Sequence, residues 1–335
     1  MCVTRRSFVR GGVSVFLGAT VLKGNNSVDV NNLRDGLEAL LMSAGCDPAS
    51  ENGALLAIMS DPHIFLGTDH PHLRTEKWDD DLINELNSLS LPITNLAIAG
   101  DLISYRSMTP GSPAYGVHEL WAIEEYAAAQ IEVQRFNMPI WMIPGNHDTY
   151  AYETDAEMFK DKMGVPAYQR VELGGVPIFL LNTGNAGMLN TAQEEWLRAE
   201  AKTIDKDQDV LIIQHIPTFT TVYTQAGSKR IIAEAFSGRS APVYIASGHN
   251  HRFSESVSEY GGTKFVQMAT TTANRLVFSD RKDPGYLLIG IQDGEICIRI
   301  RRSLTVNSFW PRPDIATLPV KPVRFPFDEV TERMA

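Results

Sequence analysis

The sequence predicts an α/β fold, and three features carry that prediction. Five short apolar runs lack the polar alternation of a half-exposed strand, which is typical of strands buried on both faces. Amphipathic helical patterns separate most of these runs. Glycine-containing turns in the second half of the chain indicate β-hairpins. Alternating strands and helices favour a parallel sheet, and the hairpins add antiparallel strands to it.

Each apolar run ends at a cluster of side chains that commonly bind metal ions. The runs cover residues 55–59, 96–99, 140–143, 210–213 and 243–246. The clusters are Asp61-Pro62-His63, Gly100-Asp101, Gly145-Asn146-His147-Asp148, His215 and Gly248-His249-Asn250-His251. Functional groups in open α/β sheets lie just beyond the carboxyl ends of the strands, so these clusters should meet at one edge. Five of the eight histidines fall in the clusters, which chance does not readily explain.

The remaining elements follow in chain order. Residues 25–52 are predicted to form a linker with one short helix, because Leu33, Leu37, Leu40 and Leu41 share a helical face. Further helices are predicted at residues 78–89, 117–137, 154–163 and 191–203. The last of these opens with a capping box formed by Thr191 and Glu194. Hairpin turns are predicted at Gly174-Gly175, Gly261-Gly262 and Asp293-Gly294.

Residues 1–24 are predicted to be an export signal that does not belong to the fold. They carry four basic residues and no acidic one, and Arg5 and Arg6 are followed by an apolar stretch. The segment around this pair resembles the twin-arginine motif, which implies delivery by the twin-arginine export machinery and a periplasmic or exported protein. The stretch is short and rich in glycine, so no stable membrane span is expected after processing. A frayed basic terminus and an uncleaved anchor are the alternatives.

Residues 303–335 combine five prolines with four aromatic residues. Proline prevents regular helix and central strand, so an extended arm packed on the body is predicted, with a partner-binding segment as the alternative. The main domain is expected to span residues 53–302. Cys46 and Cys297 lie far apart in sequence. One disulfide in an oxidising compartment and two free buried thiols both fit them.

The overall charge restricts the class of partner. The 335-residue chain is 44% hydrophobic, enough for a sizeable core, and its formal net charge is −10. Because the predicted signal is basic, the remainder is more acidic still. Such a surface argues against broad electrostatic binding to nucleic acid or to an anionic membrane. An anionic substrate would therefore need local positive charge, such as a pair of metal ions or a few arginines.

The clusters offer oxygen and nitrogen ligands and no thiolate. This set suits Mn, Fe, Zn or Co, and it suits a closed cysteine-rich zinc site poorly. A carboxylate can bridge two ions, and Asp101 is the natural bridge because no histidine stands beside it. Two neighbouring ions lower the pKa of a shared water and hold phosphoryl oxygens as charge develops. The predicted cofactors are two divalent or trivalent transition-metal ions.

In this order, the five clusters resemble the motifs of the calcineurin-like metallophosphoesterase family. The resemblance covers roughly residues 55–301 and implies a four-layer α/β/β/α sandwich of two mixed sheets flanked by helices. It also implies a ligand set: Asp61, His63 and His251 on one metal ion, Asn146, His215 and His249 on the other, and Asp101 bridging them. His147 would hydrogen-bond the phosphoryl or leaving-group oxygen, and Asp148 would orient its ring.

One departure separates the chain from a subfamily. Purple acid phosphatases place a tyrosine ligand three residues after the bridging aspartate, where this chain has Ser104 and only then Tyr105. A tyrosinate–iron(III) site is therefore not expected. Substrate choice is assigned to the loops at residues 65–77, 102–116 and 217–229. The candidate substrate contacts there are His70, His72, Arg74 and Arg106, each of which could instead have a purely structural role.

The resemblance implies a binuclear metal-dependent phosphoesterase. It would hydrolyse a phosphomonoester or a phosphodiester, cyclic nucleotides included, by attack of a metal-bridging hydroxide. An inactive binding protein of the same fold is one alternative, but such proteins usually lack some ligands, and this chain has every one. A nuclease is another, and the net acidity argues against it. The expected partner is a small phosphorylated substrate, and no nucleic acid is expected.

Overall fold

The computed structural model describes residues 30–64, 76–89, 93–104, 115–149, 156–183, 187–219, 228–270, 272, 284–304, 307–312 and 314–323. The predicted signal at residues 1–24 lies outside these ranges. Four candidate substrate contacts also lie outside them: His70, His72, Arg74 and Arg106. Most of each loop expected to select the substrate is outside the described residues as well.

Thirteen strands and six α-helices form within the described residues. The strands are β1 (Gly53–Met59), β2 (Ile93–Ala99), β3 (Ile140–Ile143), β4 (Gln169–Leu173), β5 (Val176–Leu181), β6 (Val210–Gln214), β7 (Val243–Ser247), β8 (Ser254–Tyr260), β9 (Thr263–Ala269), β10 (Gly285–Gln292), β11 (Glu295–Ser303), β12 (Ser308–Pro311) and β13 (Val320–Pro322). The helices are α1 (Val30–Ser43), α2 (Glu76–Ser88), α3 (Tyr115–Val133), α4 (Glu157–Met163), α5 (Thr191–Ala201) and α6 (Ser228–Ala235). All five apolar runs are strands, and the three predicted hairpins form β4–β5, β8–β9 and β10–β11.

The strands make two mixed sheets. The first has six strands in the order β12-β11-β10-β1-β2-β3, and the second has seven in the order β13-β8-β9-β7-β6-β5-β4. The strands that precede the motif residues are parallel within each sheet: β1, β2 and β3 in the first, β6 and β7 in the second. Their carboxyl ends therefore lie along one edge of each sheet.

Alternate residues of the central strands pack on opposite sides and separate four layers. In β1, Leu55 packs with buried residues of α1 to α4, whereas Leu56 packs with β5, β6 and β10 in the space between the sheets. In β5, Phe179 packs with α5 and α6 on the far side of the second sheet. The predicted α/β/β/α sandwich of two mixed sheets flanked by helices is confirmed.

Of the predicted linker at residues 25–52, the described part, residues 30–52, packs into the domain. Leu37 and Leu41 of α1 are fully buried in the helix-side core of the first sheet. A disulfide joins Cys46, just after the helix, to Cys297 on β11, with the Cα atoms 5.9 Å apart. The leucine pattern indicated the helix, but only the tertiary contact shows that this helix belongs to the domain.

Two local features differ from the sequence expectations. The side chain of Asn190 caps α5 by accepting a hydrogen bond from the backbone N–H of Gln193, so Thr191 is not the capping residue. Helix α6 was not predicted, because its eight residues are too few for a clear periodic pattern. In the part of the chain that the structure describes, no helix is long and apolar enough to cross a membrane.

The proline-rich C-terminal segment adds one edge strand to each sheet. Strand β12 pairs with β11, and β13 pairs with β8. Both strands end at a proline, which an edge tolerates because one side of the strand makes no ladder hydrogen bonds. Buried Arg302 fastens the start of this segment, since its guanidinium donates to the carboxylate of Glu85 on α2 and to the side chain of Asn307.

Candidate metal centre

The loops after the parallel strands bring all seven predicted metal ligands together. Within the first sheet, the N–H of Asp61 donates to the carbonyl of Gly100 at 3.0 Å. Between the sheets, the N–H of His249 donates to the Asp61 carboxylate at 2.9 Å. Residues that are up to 188 positions apart in sequence are therefore in direct contact, as the topology of the sheets requires.

The backbone at these ligands adopts an uncommon conformation. Among the described residues, eight that are not glycine have a positive φ angle, and five of them are predicted ligands. Their φ angles are 57° at Asp61, 47° at His63, 52° at Asp101, 68° at His249 and 49° at His251. Such residues cost roughly 1–3 kcal/mol each and tend to cluster at functional sites. The left-handed turns aim successive side chains at one point, and no sequence pattern signals them.

The glycines of the motifs make this close approach sterically feasible. A Cβ atom on Gly145 would lie 2.2 Å from the Oδ1 atom of Asp101, and one on Gly248 would lie 2.7 Å from the Oδ2 atom of Asp61. Gly100 has a φ of 84°, and a Cβ atom there would lie 2.6 Å from the Nδ1 atom of His215. Each glycine therefore leaves room for a ligand of another motif.

One group of potential ligands surrounds His215. Its Nδ1 atom lies 2.9 Å from the carbonyl oxygen of Ala99, which can only accept, so Nδ1 carries a hydrogen. The Nε2 atom lies 3.1 Å from the Oδ1 atom of Asn146 and 3.1 Å from the Oδ2 atom of Asp101. When the His215 ring is neutral, its Nε2 atom has a lone pair, as do the two oxygen atoms that it faces. Acceptors this close need a cation among them, either a proton on Nε2 or a metal ion.

The other group is built in the same way around His63 and His251. Their Nε2 atoms lie 3.1 Å apart. The Nε2 atom of His251 is 3.3 Å from the Oδ1 atom of Asp61, and that of His63 is 3.6 Å from the Oδ2 atom of Asp101. Two ring nitrogens that face each other across 3.1 Å need either a hydrogen on one of them or a metal ion between them.

The electrostatics leave most of these groups in the form that binds metal. Burial lowers the pKa of His63 to about 3 and that of His249 to about 4, so both rings are neutral. Burial alone would raise the pKa of Asp101, but His215 and His147 hold it well below its usual range. Burial opposes the charge on His215 too, yet the Asp101 carboxylate raises its pKa to about 9. A proton on His215 thus supplies the positive charge that the acceptors require.

The donor set fits two metal ions. One potential ligand atom from each of Asp61, His63, Asp101 and His251 lies within 4.8 Å of the others, and the same holds for Asp101, His215 and His249. Asp101 belongs to both groups, which is the position a bridging carboxylate must occupy. Second ring nitrogens fixed by carbonyl oxygens, as in His215, are typical of metal-binding histidines.

His147 lies beside this cluster with its ring oriented by a backbone group. Its Nδ1 atom is 2.6 Å from the carbonyl oxygen of Ser104, so Nδ1 donates. The Nε2 atom lies 4.0 Å from the Oδ2 atom of Asp101, and the side chain is 25% exposed. The sequence expectation that Asp148 orients this ring is wrong. Ser104 fills that role through its carbonyl oxygen, which carries no side-chain signal.

Asp148 instead organises the surrounding backbone. Its carboxylate accepts from the N–H groups of Gly145 at 2.7 Å, Leu102 at 3.1 Å and Ile103 at 3.2 Å. Burial, with a smaller contribution from Asp101, raises the pKa of this carboxyl to about 6. Asp148 therefore links the turn that carries Asn146 to the segment after the bridging carboxylate.

Comparison with known proteins identifies the family to which this chain belongs. Residues 54–253 match the calcineurin-like phosphoesterase family. The fold is similar to that of a dimetal phosphatase from Danio rerio, with a TM-score of 0.54, 10% identity and coverage of 77% of this chain and 98% of that one. It is also similar to a purple acid phosphatase from yellow lupin (Lupinus luteus) seeds, with a TM-score of 0.54, 13% identity and coverage of 83% and 55%.

At these identities the structural likeness shows the fold alone. No curated protein matches the chain in sequence. The family match spans more than half of the chain, and it contains all seven predicted ligands together with His147. The chain therefore belongs to the calcineurin-like phosphoesterase family.

Proposed function

We propose that this protein is a binuclear metal-dependent phosphoesterase. The observation that carries the proposal is the convergence of two groups of potential metal ligands on a shared buried carboxylate, Asp101. Around His215, whose Nδ1–H is held by the carbonyl of Ala99, the lone pairs of Nε2, Asn146 and Asp101 would repel one another without a cation. Family membership supports the same chemistry.

In this proposal Asp61, His63 and His251 hold one ion, while Asn146, His215 and His249 hold the other. Asp101 contacts both. When bound, the ions would make water a nucleophile near neutral pH and neutralise charge that develops on the phosphoryl oxygens. Mn, Fe, Zn and Co all match a set of oxygen and imidazole ligands. The chain itself orients the ligands, through the left-handed backbone at five of them and the contact of His215 with the carbonyl of Ala99.

His147 is proposed to donate a hydrogen bond to the phosphoryl or leaving-group oxygen. Because its Nδ1–H is held by the carbonyl of Ser104, only Nε2 is free to meet the substrate. Nε2 carries a hydrogen only when the ring is protonated, so the donating form is the imidazolium.

The substrate is proposed to be a small phosphomonoester or phosphodiester, with cyclic nucleotides among the diesters. The net charge of −10 disfavours a nucleic acid. The complete ligand set disfavours an inactive binding protein. We also propose delivery to the periplasm or beyond through the segment that contains Arg5 and Arg6. The disulfide between Cys46 and Cys297 supports an oxidising compartment.

A substrate panel tests the activity. The purified chain, loaded with Mn, is assayed on p-nitrophenyl phosphate, bis-p-nitrophenyl phosphate and cyclic AMP, with chelator-treated protein as the control. Turnover of the first compound alone indicates a monoesterase, and turnover of the other two indicates a diesterase. Activity that survives removal of the metal, or no turnover on any of the three with Mn, Fe, Zn or Co, contradicts the proposal.

A further inference from the structure

A row of uncharged polar side chains crosses the second sheet next to the candidate metal centre. Gln214 ends β6, Ser247 ends β7, Gln267 lies near the end of β9, and Thr183 follows β5. These four strands run parallel to one another, so the row lies at the edge of the sheet where the ligands gather. Each of the four residues is at most 1% exposed. Buried amides and hydroxyls cost free energy unless they form hydrogen bonds, so the contacts of this row indicate its purpose.

The row lies on the helix side of the second sheet. Successive residues of a strand point to opposite faces. On β6, Ile212 belongs to the core shared with α5 and α6, and on β9 Phe265 belongs to the same core. Two residues further along each strand, Gln214 and Gln267 therefore face the helices as well. His215, the next residue after Gln214, instead carries its ring to the ligands between the sheets.

The row holds the turn that follows β6. The N–H of Ile216 donates to the Oγ1 atom of Thr183 at 3.0 Å. The N–H groups of Thr218 and Phe219 both donate to the Oε1 atom of Gln267, at 3.1 Å and 3.3 Å. The residue between them and Ile216 is a proline, which has no N–H. Every N–H group of this turn is therefore held by a side chain of the row.

Gln214 holds the same turn through its acceptors. Its Nε2 atom donates to the carbonyl oxygen of Ile216 at 3.0 Å and to the hydroxyl of Thr218. A carbonyl oxygen only accepts, so this contact fixes which end of the amide faces the turn. The Oε1 atom of Gln214 is buried, and the part of the chain that the structure describes offers it no hydrogen-bond partner. An apolar side chain of the same size would avoid that unsatisfied acceptor, so stability alone does not explain an amide here.

Gln267 is itself held in place by the sheet. Its Nε2 atom donates to the hydroxyl of Ser247 at 2.9 Å and to the carbonyl oxygen of Met268 at 3.1 Å. The end of the turn is fixed beside it, because the ring of Phe219 stacks on that of Phe265 with the centroids 4.6 Å apart. The amide of Gln267 therefore connects β7 and β9 to the turn after β6.

The contacts of the row are confined to one of the two ligand groups. Within the described residues, neither Gln214 nor Gln267 forms a hydrogen bond with the other group, which consists of Asp61, His63 and His251. A change in the row should therefore move the turn after β6 and the ligand at its start, and leave the other group in place.

We infer that Gln267 and Gln214 are positioning residues for the candidate metal centre, which fix the turn after β6 and so hold His215 towards one of the two ions. The inference rests on the proposed binuclear centre and adds to it two residues that bind no metal themselves. Removing a group that orients a metal ligand typically weakens metal binding by about 10–100-fold.

Metal binding in single-site backgrounds tests the inference without turnover. His63→Ala leaves the ligands around His215 intact, and His215→Ala leaves those around His63 intact. Gln267→Met, which keeps the length of the side chain but replaces neither the acceptor nor the donor, is added to each background. The affinity for Mn is then measured by calorimetry on chelator-treated protein. We expect a loss of roughly 10–100-fold in the His63→Ala background and of less than about twofold in the His215→Ala background.

Two further variants separate positioning from a general loss of stability. Gln267→Glu keeps acceptor oxygens for the two N–H groups, so it should retain part of the affinity that Gln267→Met loses. Gln214→Met releases the carbonyl of Ile216 and should reproduce the selective loss, which keeps the inference testable if Gln267→Met does not fold. Thermal unfolding shows which variants are folded.

Thr263→Val is the matched control. Thr263 lies at the start of β9 on the same face as Gln267, and its hydroxyl accepts from the N–H of Arg239 at 2.8 Å and donates to the carbonyl of Phe236 at 2.9 Å. The substitution thus removes buried hydrogen bonds from the same strand at the end away from the ligands, and both affinities should stay unchanged.

The inference is overturned if Gln267→Met and Gln214→Met weaken both sites equally, or if they weaken neither site more than Thr263→Val does. A different outcome would refute the proposed function. If the unaltered protein binds fewer than two ions of each of Mn, Fe, Zn and Co, the binuclear centre is wrong, and the positioning role falls with it.

Discussion

Replacing Asp148 by alanine distinguishes its structural role from a role in catalysis. The carboxylate accepts from the buried N–H groups of Gly145, Leu102 and Ile103, and the structure records no hydrogen bond from it to the ring of His147. The substitution removes every one of these acceptors at once. We therefore expect Asp148→Ala to lower the stability of the protein and to disturb the metal ligands that these loops carry.

The expected loss in the free energy of unfolding follows from the three N–H groups that Asp148→Ala leaves without an acceptor. Each buried N–H that loses its partner costs about 1–3 kcal/mol. Water that enters the space left by the carboxyl group recovers part of this, so a net loss of roughly 3–5 kcal/mol is expected. A shift of about 2 °C per kcal/mol for a domain of this size gives a fall in Tm of roughly 6–10 °C.

The assay combines thermal unfolding at a fixed metal concentration with hydrogen exchange at the amides of Leu102 and Ile103. His147→Ala is the matched control, because it removes a partly exposed side chain that holds no backbone donor. It should reduce the rate while changing Tm by no more than about 2 °C. In Asp148→Ala, exchange at both amides should accelerate.

A different result would refute this account of Asp148. If Asp148→Ala keeps the Tm of the wild type and slow exchange at both amides, the three hydrogen bonds do not stabilise the fold. If it also loses rate to the same extent as His147→Ala, and the double variant loses no more, the two side chains act as one unit. The carboxylate would then orient the imidazole after all.

Four further predictions follow, three on the metal centre and one on export. Asp101→Asn should bind fewer than two metal ions and lose several orders of magnitude in rate, and elemental analysis showing two tightly held ions would contradict the bridging role. His147→Ala should keep both ions yet lose roughly 2–4 powers of ten in rate, with a greater loss for alkyl phosphates than for p-nitrophenyl esters, and equal losses would exclude a role as acid. Gly145→Ala should lower metal content, because its Cβ atom would lie 2.2 Å from the Oδ1 atom of Asp101, and an unchanged metal content would show that the turn adapts. Replacing Arg5 and Arg6 together by lysine should abolish delivery to the periplasm, and an unchanged periplasmic yield would exclude a twin-arginine signal.

The sheet framework was readable from the sequence because its strands are buried on both faces. Runs such as residues 210–213 are short and wholly apolar, so they lack the polar positions of an amphipathic helix. The ligand that follows each run marks the carboxyl end of the strand. What the sequence did not predict depends on tertiary contact. Helix α1 reads as part of a linker until its leucines are seen in the core, and Asn190 caps α5 one residue before the predicted box.

At the site, side-chain identities were predictable and backbone partners were not. The seven ligand positions lie in recognisable motifs, and the structure brings them together. The group that orients His147 is a carbonyl oxygen, which every residue possesses, so nothing in the identity of Ser104 marks it. Asp148 follows His147 directly, which suggested a side-chain pair, yet the turn points its carboxylate at backbone N–H groups instead.

The same contacts explain why motifs that are weak individually become informative together. Gly100 lies against the ring of His215, Gly145 against the carboxylate of Asp101, and Gly248 against that of Asp61. In each case the glycine stands immediately before one ligand and makes room for a ligand of a different motif. Each glycine is therefore required because of a ligand that belongs to another motif, so the glycines are informative only when all the motifs are present. A steric change at one turn should accordingly be felt at the ligand across the site, because that ligand lies within 2.2–2.7 Å of the added Cβ atom.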